Sequence, residues 1–165
     1  MRRRVLQGCL AVLSVLSLSL SCARPADADP LPPFQLEPVA LEARMDACMA
    51  GQVGLDEVLM GWVKIRTGEI RRWRCWSLKH MMLDNADRNA HNPYVHLVDF
   101  MRCADEVISY GFPRPASNPD YTALHKQFNG TSGLAIAVIN DLTGDVVTIY
   151  TVGRDDQWSA CANSL

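Results

Sequence analysis

Apolar positions recur at two different periods along this chain, and the change of period divides it. Over Val39–Ala50, Leu41, Met45 and Cys48 fall at helical spacing, with Gly51 as a stop. Leu55–Arg66 is apolar with scattered charge and reads as a helix, against the tendency of Gly61, Val63 and Ile65. After a Thr-Gly break, Glu69–Leu83 reads as another helix, with Ile70, Trp73, Ser77 and Met81 close to one face and Cys75, Leu78 and Met82 widening it. The clearest helix runs from an Asn92 cap and Pro93 to Gly111, along the stripe Tyr94, Leu97, Val98, Met101, Ala104 and Ile108. Phe112–Ser117 is a proline-bearing loop. Asn118-Pro119 opens a short helix carrying Tyr121, Leu124, His125 and Phe128 on one side, and Asn129–Thr131 breaks it.

The period then changes to two. Leu134–Ile139 is a continuous apolar strand, and Asp141-Leu142-Thr143-Gly144 is a hairpin loop in which Gly144 is free to take a positive φ. Val146–Val152 returns, with Val146, Thr148, Tyr150 and Val152 on one face and Val147, Ile149 and Thr151 on the other. Two strands alone are marginal, so helices or a third strand must cover them. The expected class is α+β: N-terminal helices packed on a C-terminal antiparallel β-hairpin or small sheet, stapled by disulfides.

The N-terminus adds a compartment. Arg2, Arg3 and Arg4 precede the apolar Val5–Leu20, which is short and serine-rich for a membrane span, and Ala26-Asp27-Ala28 has the small-x-small form of a cleavage site. Ser21-Cys22-Ala23 is a second candidate, and lipid attachment at Cys22 ranks below it because Ser19 stands where an apolar residue is wanted. The expected organisation is a signal peptide over 1–28, a proline-rich leader over 29–38 and one secreted domain over 39–165, with no membrane-spanning segment after cleavage. Loss of four arginines and one aspartate takes the 16 basic and 18 acidic residues to about 12 and 17, a net charge near −5. Such a surface has no general attraction for phosphate backbones. The basic run Arg66, Arg71, Arg72, Arg74 and Lys79 is expected to be a solvated helix face.

Cys48, Cys75, Cys103 and Cys161 remain after cleavage, an even count that suggests two disulfides with three possible pairings. Their spacings contain no CxxC-like pair, which disfavours zinc. No cofactor fingerprint occurs: there is no P-loop, no dinucleotide-binding glycine motif, no HExxH and no nucleophile elbow. Asn129-Gly130-Thr131 fits the acceptor pattern for N-glycosylation. Trp62, Trp73, Trp76 and Trp158 are expected in the core, with Trp73 and Trp76 also placed to stack on bases or sugars.

Four histidines carry the candidate chemistry: His80, His91, His96 and His125. Metal-independent RNA cleavage needs a base for the 2′-hydroxyl, an acid for the leaving oxygen and donors for the phosphoryl oxygens. His125 with Lys126 lies just before the hairpin that bears Thr148 and Tyr150, so packing on that face would bring the four together. The plain alternative is a hydrogen-bonded imidazole beside ordinary strand residues. His91 and His96, with Asp99 one turn on, read as cap or surface groups before metal ligands.

The stretch Gly-Thr-Ser-Gly-Leu-Ala-Ile-Ala-Val-Ile-Asn-Asp-Leu-Thr-Gly-Asp-Val-Val-Thr-Ile-Tyr, residues 130–150, resembles the end of bacterial ribonuclease toxins of the barnase and EndoU-like superfamily. The resemblance implies a cut carried by His125, or by His80 with Lys79, together with Thr148 and Tyr150, and RNA as partner. It covers about 25 residues. Two functions therefore stand: an extracellular binding protein that contacts a protein partner through its apolar, tryptophan-bearing helices, and a ribonuclease-like domain.

Overall fold

A computed structural model describes residues 36–65, 67–83, 91–127, 133–152 and 157–164, all within one compact unit, Leu31–Leu165. The signal segment 1–28, most of the leader, Arg66, Phe128 and the Asn129–Thr131 acceptor pattern lie outside the described residues. Ten elements follow in order: α1 (Pro38–Met49), β1 (Val58–Val63), β2 (Ile70–Arg74), α2 (Cys75–Leu83), α3 (Leu97–Tyr110), β3 (Phe112–Pro115), β4 (Tyr121–Gln127), β5 (Leu134–Asn140), β6 (Asp145–Val152) and α4 (Gln157–Ala162). The strands form one six-stranded sheet in the order β1-β2-β6-β5-β4-β3. Every pairing is antiparallel except β2 with β6, which is parallel. The α+β class stands, and the expected hairpin is present as β5–β6, but within a six-stranded mixed sheet that reaches back to residue 58.

The differences have local causes. Residues 55–65 are not a helix, because β1 pairs with β2 around the Thr67-Gly68 turn, where Gly68 takes φ 71°. A bulge between Val58 and Met60 buries both Leu59 and Met60, which disrupts the period of two and imitates a helical run. In the expected helix 69–83, residues 70–74 are strand and the helix begins at Cys75. Its first N–H groups, from Cys75 and Trp76, donate to the carbonyls of Glu57 and Leu55 (2.9 Å each), so the loop before β1 serves as its cap.

Helix α3 starts at Leu97 rather than near Asn92. Asn92 Oδ1 accepts the Tyr94 N–H (2.9 Å) in a turn, and His96 precedes the helix in the left-handed region, at φ 58°. Gly111 does follow the helix, at φ −58°. Its requirement is space, since a Cβ there would sit 2.2 Å from the Val107 carbonyl oxygen. The proline-bearing segment is an edge strand, β3, where a missing N–H is tolerated. The helix expected after Asn118-Pro119 is also a strand, β4, paired with β5 along its whole length.

The hairpin loop is as expected, with Gly144 at φ 74°. Its second strand is not evenly alternating. A bulge at Val147 on β6 sets Val138 opposite Thr148 but Ile139 opposite Val146. Val146 therefore joins Ile149 and Thr151 on the helix-facing side, and Thr148 and Tyr150 take the other face. Ser77 Oγ donates to the Val147 carbonyl at the bulge (2.8 Å), which holds α2 against β6 beyond the end of its pairing with β2.

One face of the sheet builds a single core. Trp73, Leu124, Ala137, Ile139, Val146 and Ile149 pack with Leu41 and Met45 of α1, Leu78 and Met81 of α2, Phe100 and Val107 of α3, and Trp158 of α4. Three of the four tryptophans expected in the core are there, and Trp76 on α2 is half-buried outside it. Trp62, Trp73, Phe100 and Trp158 form a chain of ring contacts at 6.4, 5.3 and 5.0 Å, and Trp158 Nε1 donates to the Asn92 carbonyl. Disulfides join Cys48 to Cys75 and Cys103 to Cys161, so α1 is tied to α2 and the terminal helix to α3.

In the chain-entropy description, the loops of 27 and 58 residues correspond to about 3.5 and about 4.2 kcal/mol of stabilisation. Non-reducing peptide mapping should return these two pairs. Equilibrium denaturation should find a larger loss for the Cys103→Ala/Cys161→Ala double variant than for Cys48→Ala/Cys75→Ala; the reverse order would contradict the loop-length account.

Candidate functional site

Strand register decides which of the candidate residues meet. Across β3, β4, β5 and β6, Phe112 lies opposite His125, His125 opposite Ile136, and Ile136 opposite Tyr150. The next row on that face is Arg114, Ala123, Val138 and Thr148. His125, Thr148 and Tyr150 thus share the sheet face turned away from the core. His125 and Tyr150 are nevertheless separated by β5, with backbones roughly 10 Å apart at ordinary strand spacing. Thr148 Oγ1 is buried and has no hydrogen-bond partner among the described residues.

Lys126 does not join them. Successive side chains on a strand point to opposite faces, so Lys126 turns towards α3. There it pairs with the Glu106 carboxylate, and its ammonium stands 5.9 Å from the centre of the Tyr110 ring. The expected quartet assumed that His125 and Lys126 neighboured each other on a helix; on β4 they cannot face one phosphate together. His80 is exposed in the last turn of α2, with Lys79 half-buried beside it.

His91 is an addition. Its ring stacks on Tyr150, with centroids 5.0 Å apart and planes 18° from parallel. Nothing in the local sequence marks this contact, because 59 positions separate the two residues. His96 is exposed at the start of α3, away from that stack in the chain. Asp99 accepts a short hydrogen bond from Ser159 Oγ, tying α3 to α4. No group of three or more histidine, cysteine, aspartate or glutamate residues among those described could hold a metal ion. Of the basic run, Arg71, Arg72 and Arg74 lie on strand β2 rather than on a solvated helix face and Lys79 lies on α2, while Arg66 is outside the described residues; two of these charges are paired. Arg71 pairs with Glu69 (2.7 Å), and Arg74 with Asp145 (2.8 Å) in a largely buried contact.

A different site was hidden by the misread helix. Between β1 and α3 lies a groove of about 440 Å³. Met60, Trp62, Val63, Ile65 and Met101 form its apolar walls, and Arg102, Asp105 and Ser109 form a polar rim along one side of α3. Strand β1 is the last strand of the sheet. Lys64 N–H donates to the Glu69 carbonyl (2.9 Å), and alternation along the ladder makes Trp62–Arg71 and Met60–Trp73 the hydrogen-bonded pairs. Gly61 and Val63 therefore direct their N–H and C=O groups away from β2. Val63 and Ile65 are exposed at 43% and 60%. Of the tryptophans expected on helices, Trp62 and Trp73 lie instead on β1 and β2 and are buried, while Trp76 and Trp158 lie on α2 and α4.

Asp105 carries the one clear electrostatic signature of this groove. Asp105 is exposed at the groove rim, but partial desolvation there pushes its carboxyl above the usual range; a hydrogen bond from Ser109 Oγ (3.4 Å) opposes the rise and the neighbouring Glu106 adds to it. No family model, curated protein or solved structure matches the chain.

The folded state holds the Asp105 proton more tightly than the unfolded chain does. Its contribution to stability is therefore greatest in acid and is lost as pH rises through the carboxylate range. Asp105→Asn should make the chain more stable than the parent in urea at pH 7, with the difference shrinking towards pH 4. A constant difference across that range would remove the assignment.

Proposed function

We propose that this chain is an exported binding module that receives an extended segment of another protein chain on the β1 edge of its sheet. The observation that carries this reading is the groove itself. The outward-facing peptide groups of the exposed Val63, at the end of β1, lie beside an apolar trough about 440 Å³ in volume, while Gly61 is buried. Addition of a strand to an open sheet edge supplies affinity through main-chain hydrogen bonds and selectivity through every second side chain. Export is supported by the basic-then-apolar N-terminus and by two disulfides, which persist outside reducing compartments. Among the described residues no helix is long and apolar enough to cross a membrane.

Proline at position 63 would remove an edge-facing N–H while leaving the hydrogen bonds to β2 intact. Selection of displayed linear peptides against the oxidised chain should yield apolar residues at alternate positions. Val63→Pro should weaken the selected peptides by about tenfold or more. Peptides indifferent to that change, or none at all, would reject the reading.

A second reading keeps the ribonuclease resemblance. It is favoured by the His91–Tyr150 stack on the face that also presents His125 and Thr148. Lys126 has no place in it. Under this reading the oxidised chain cleaves RNA in the presence of chelator, and His125→Ala lowers the rate by about 10²–10⁴. Intact RNA after prolonged incubation with the parent chain would eliminate it.

A further inference from the structure

We infer that the segment received at the β1 edge is a chain terminus: the apolar last residue of a polypeptide lies in the trough, and its free C-terminal carboxylate meets Arg102. This rests on reading that edge as a strand-accepting site, and it names which part of a partner chain the site takes.

The open length of the edge sets the first limit. Burial along β1 runs from the half-buried Val58 through the buried Leu59, Met60, Gly61 and Trp62 to the exposed Val63. An extended segment crossing the whole strand needs open peptide groups at every second residue. Of Gly61 and Val63, only Val63 is open. The chain then turns away at once: the Lys64 N–H donates to the Glu69 carbonyl (2.9 Å), and the Lys64 carbonyl accepts the Gly68 N–H (2.8 Å). A partner therefore finds a single residue of ladder. A long segment gains little from so short a pairing. A chain end needs no more, since its last peptide unit pairs with Val63 and its last side chain enters the trough.

The trough suits that side chain. Its volume of about 440 Å³ falls in the range of about 300–1,000 Å³ that takes small ligands. Met60, Met101 and Trp62 line it with thioethers and an indole, and methionine adapts to apolar groups of varied shape. Arg102 is the only cation among the described residues of the lining, and its guanidinium makes no hydrogen bond or ion pair with a described residue. Asp105, one turn along α3, accepts instead from Ser109 Oγ (3.4 Å). A guanidinium presents paired N–H donors in the geometry of a carboxylate. Main-chain groups at Val63, apolar volume and this guanidinium together match an apolar C-terminal residue. A free fatty acid fills the trough and reaches Arg102, but it leaves the Val63 peptide groups without a partner.

Affinity selection from a hexapeptide library with free C-termini, against the oxidised chain, tests this. The selected sequences are then titrated by fluorescence anisotropy, each as the acid and as the C-terminal amide. The last residue should be apolar, and amidation should weaken binding by about tenfold or more. Arg102→Gln should bring the acids down to the affinity of the amides and leave the amides unchanged. Val63→Pro should weaken both. Asp105→Asn, which removes the anion of the rim, should not weaken the acids. Arg102 and Asp105 are exposed on α3, so near-ultraviolet circular dichroism of the tryptophans should match the parent in both charge variants. Amides that bind as tightly as acids, or acids indifferent to Arg102→Gln, would overturn the proposal; if Val63→Pro still weakens those peptides, the strand-accepting edge stays in place. Decanoate bound more tightly than any selected peptide, and equally by the Val63→Pro chain, would assign the trough to a free acid and also overturn it. No peptide bound in either form would remove both readings.

Discussion

The sheet depends on a junction of two residue pairs. Arg72 lies beside Asp145 and Trp73 beside Val146, and these parallel pairings alone join the β1–β2 hairpin to the antiparallel run β3–β6. So short a ladder contributes little by itself. It is held by what surrounds it: the buried Arg74–Asp145 pair, the Trp73 ring against Phe100, and the Cys48–Cys75 link at the point where β2 becomes α2. Asp145 is 7% exposed, and a buried carboxylate of this kind is tolerable only because a guanidinium meets it. The arginine-rich segment, which looks like a solvated or nucleic-acid-binding feature in isolation, is therefore committed largely to closing the sheet.

That junction also creates both surfaces on which function was considered. Beyond Val146 the edge of β6 is left by β2 and taken by α2, with Ser77 on the Val147 carbonyl. The β5–β6 bulge at the same level turns Thr148 and Tyr150 to the outer face, where Tyr150 meets His91. On the far side of the junction, β1 is the last strand of the sheet among the described residues, above a trough closed by α3. One face thus offers imidazole, phenol and hydroxyl, with Arg114 as the cation in the Thr148 row and Lys126 turned to the other side. The groove offers apolar volume and two opposite charges.

Much of this was visible along the chain. Helix α1 and its three buried positions, the apolar β5, the Asp-Leu-Thr-Gly loop and the pairing of all four of Cys48, Cys75, Cys103 and Cys161 follow from short-range pattern. The failures share a cause. Where a bulge inserts one residue, as at Leu59 and at Val147, the period of two is broken and the run imitates a helix or exchanges its faces. Where a strand lies at an edge, as with β3, prolines read as a loop because pairing on one side is invisible locally.

Local chemistry by itself determined the class of the protein, its staples and the residues that had to be buried, because these depend on side-chain polarity, spacing and thiol count. Which cysteines pair, which face His125 and Lys126 take, and whether residues 58–63 are strand or helix were decided only by tertiary pairing. The reason is physical: a β-ladder takes its hydrogen bonds from segments distant in the chain. The Asp145 that aligns β2 lies 71 positions from Arg74, beyond the reach of any periodicity that a sequence displays.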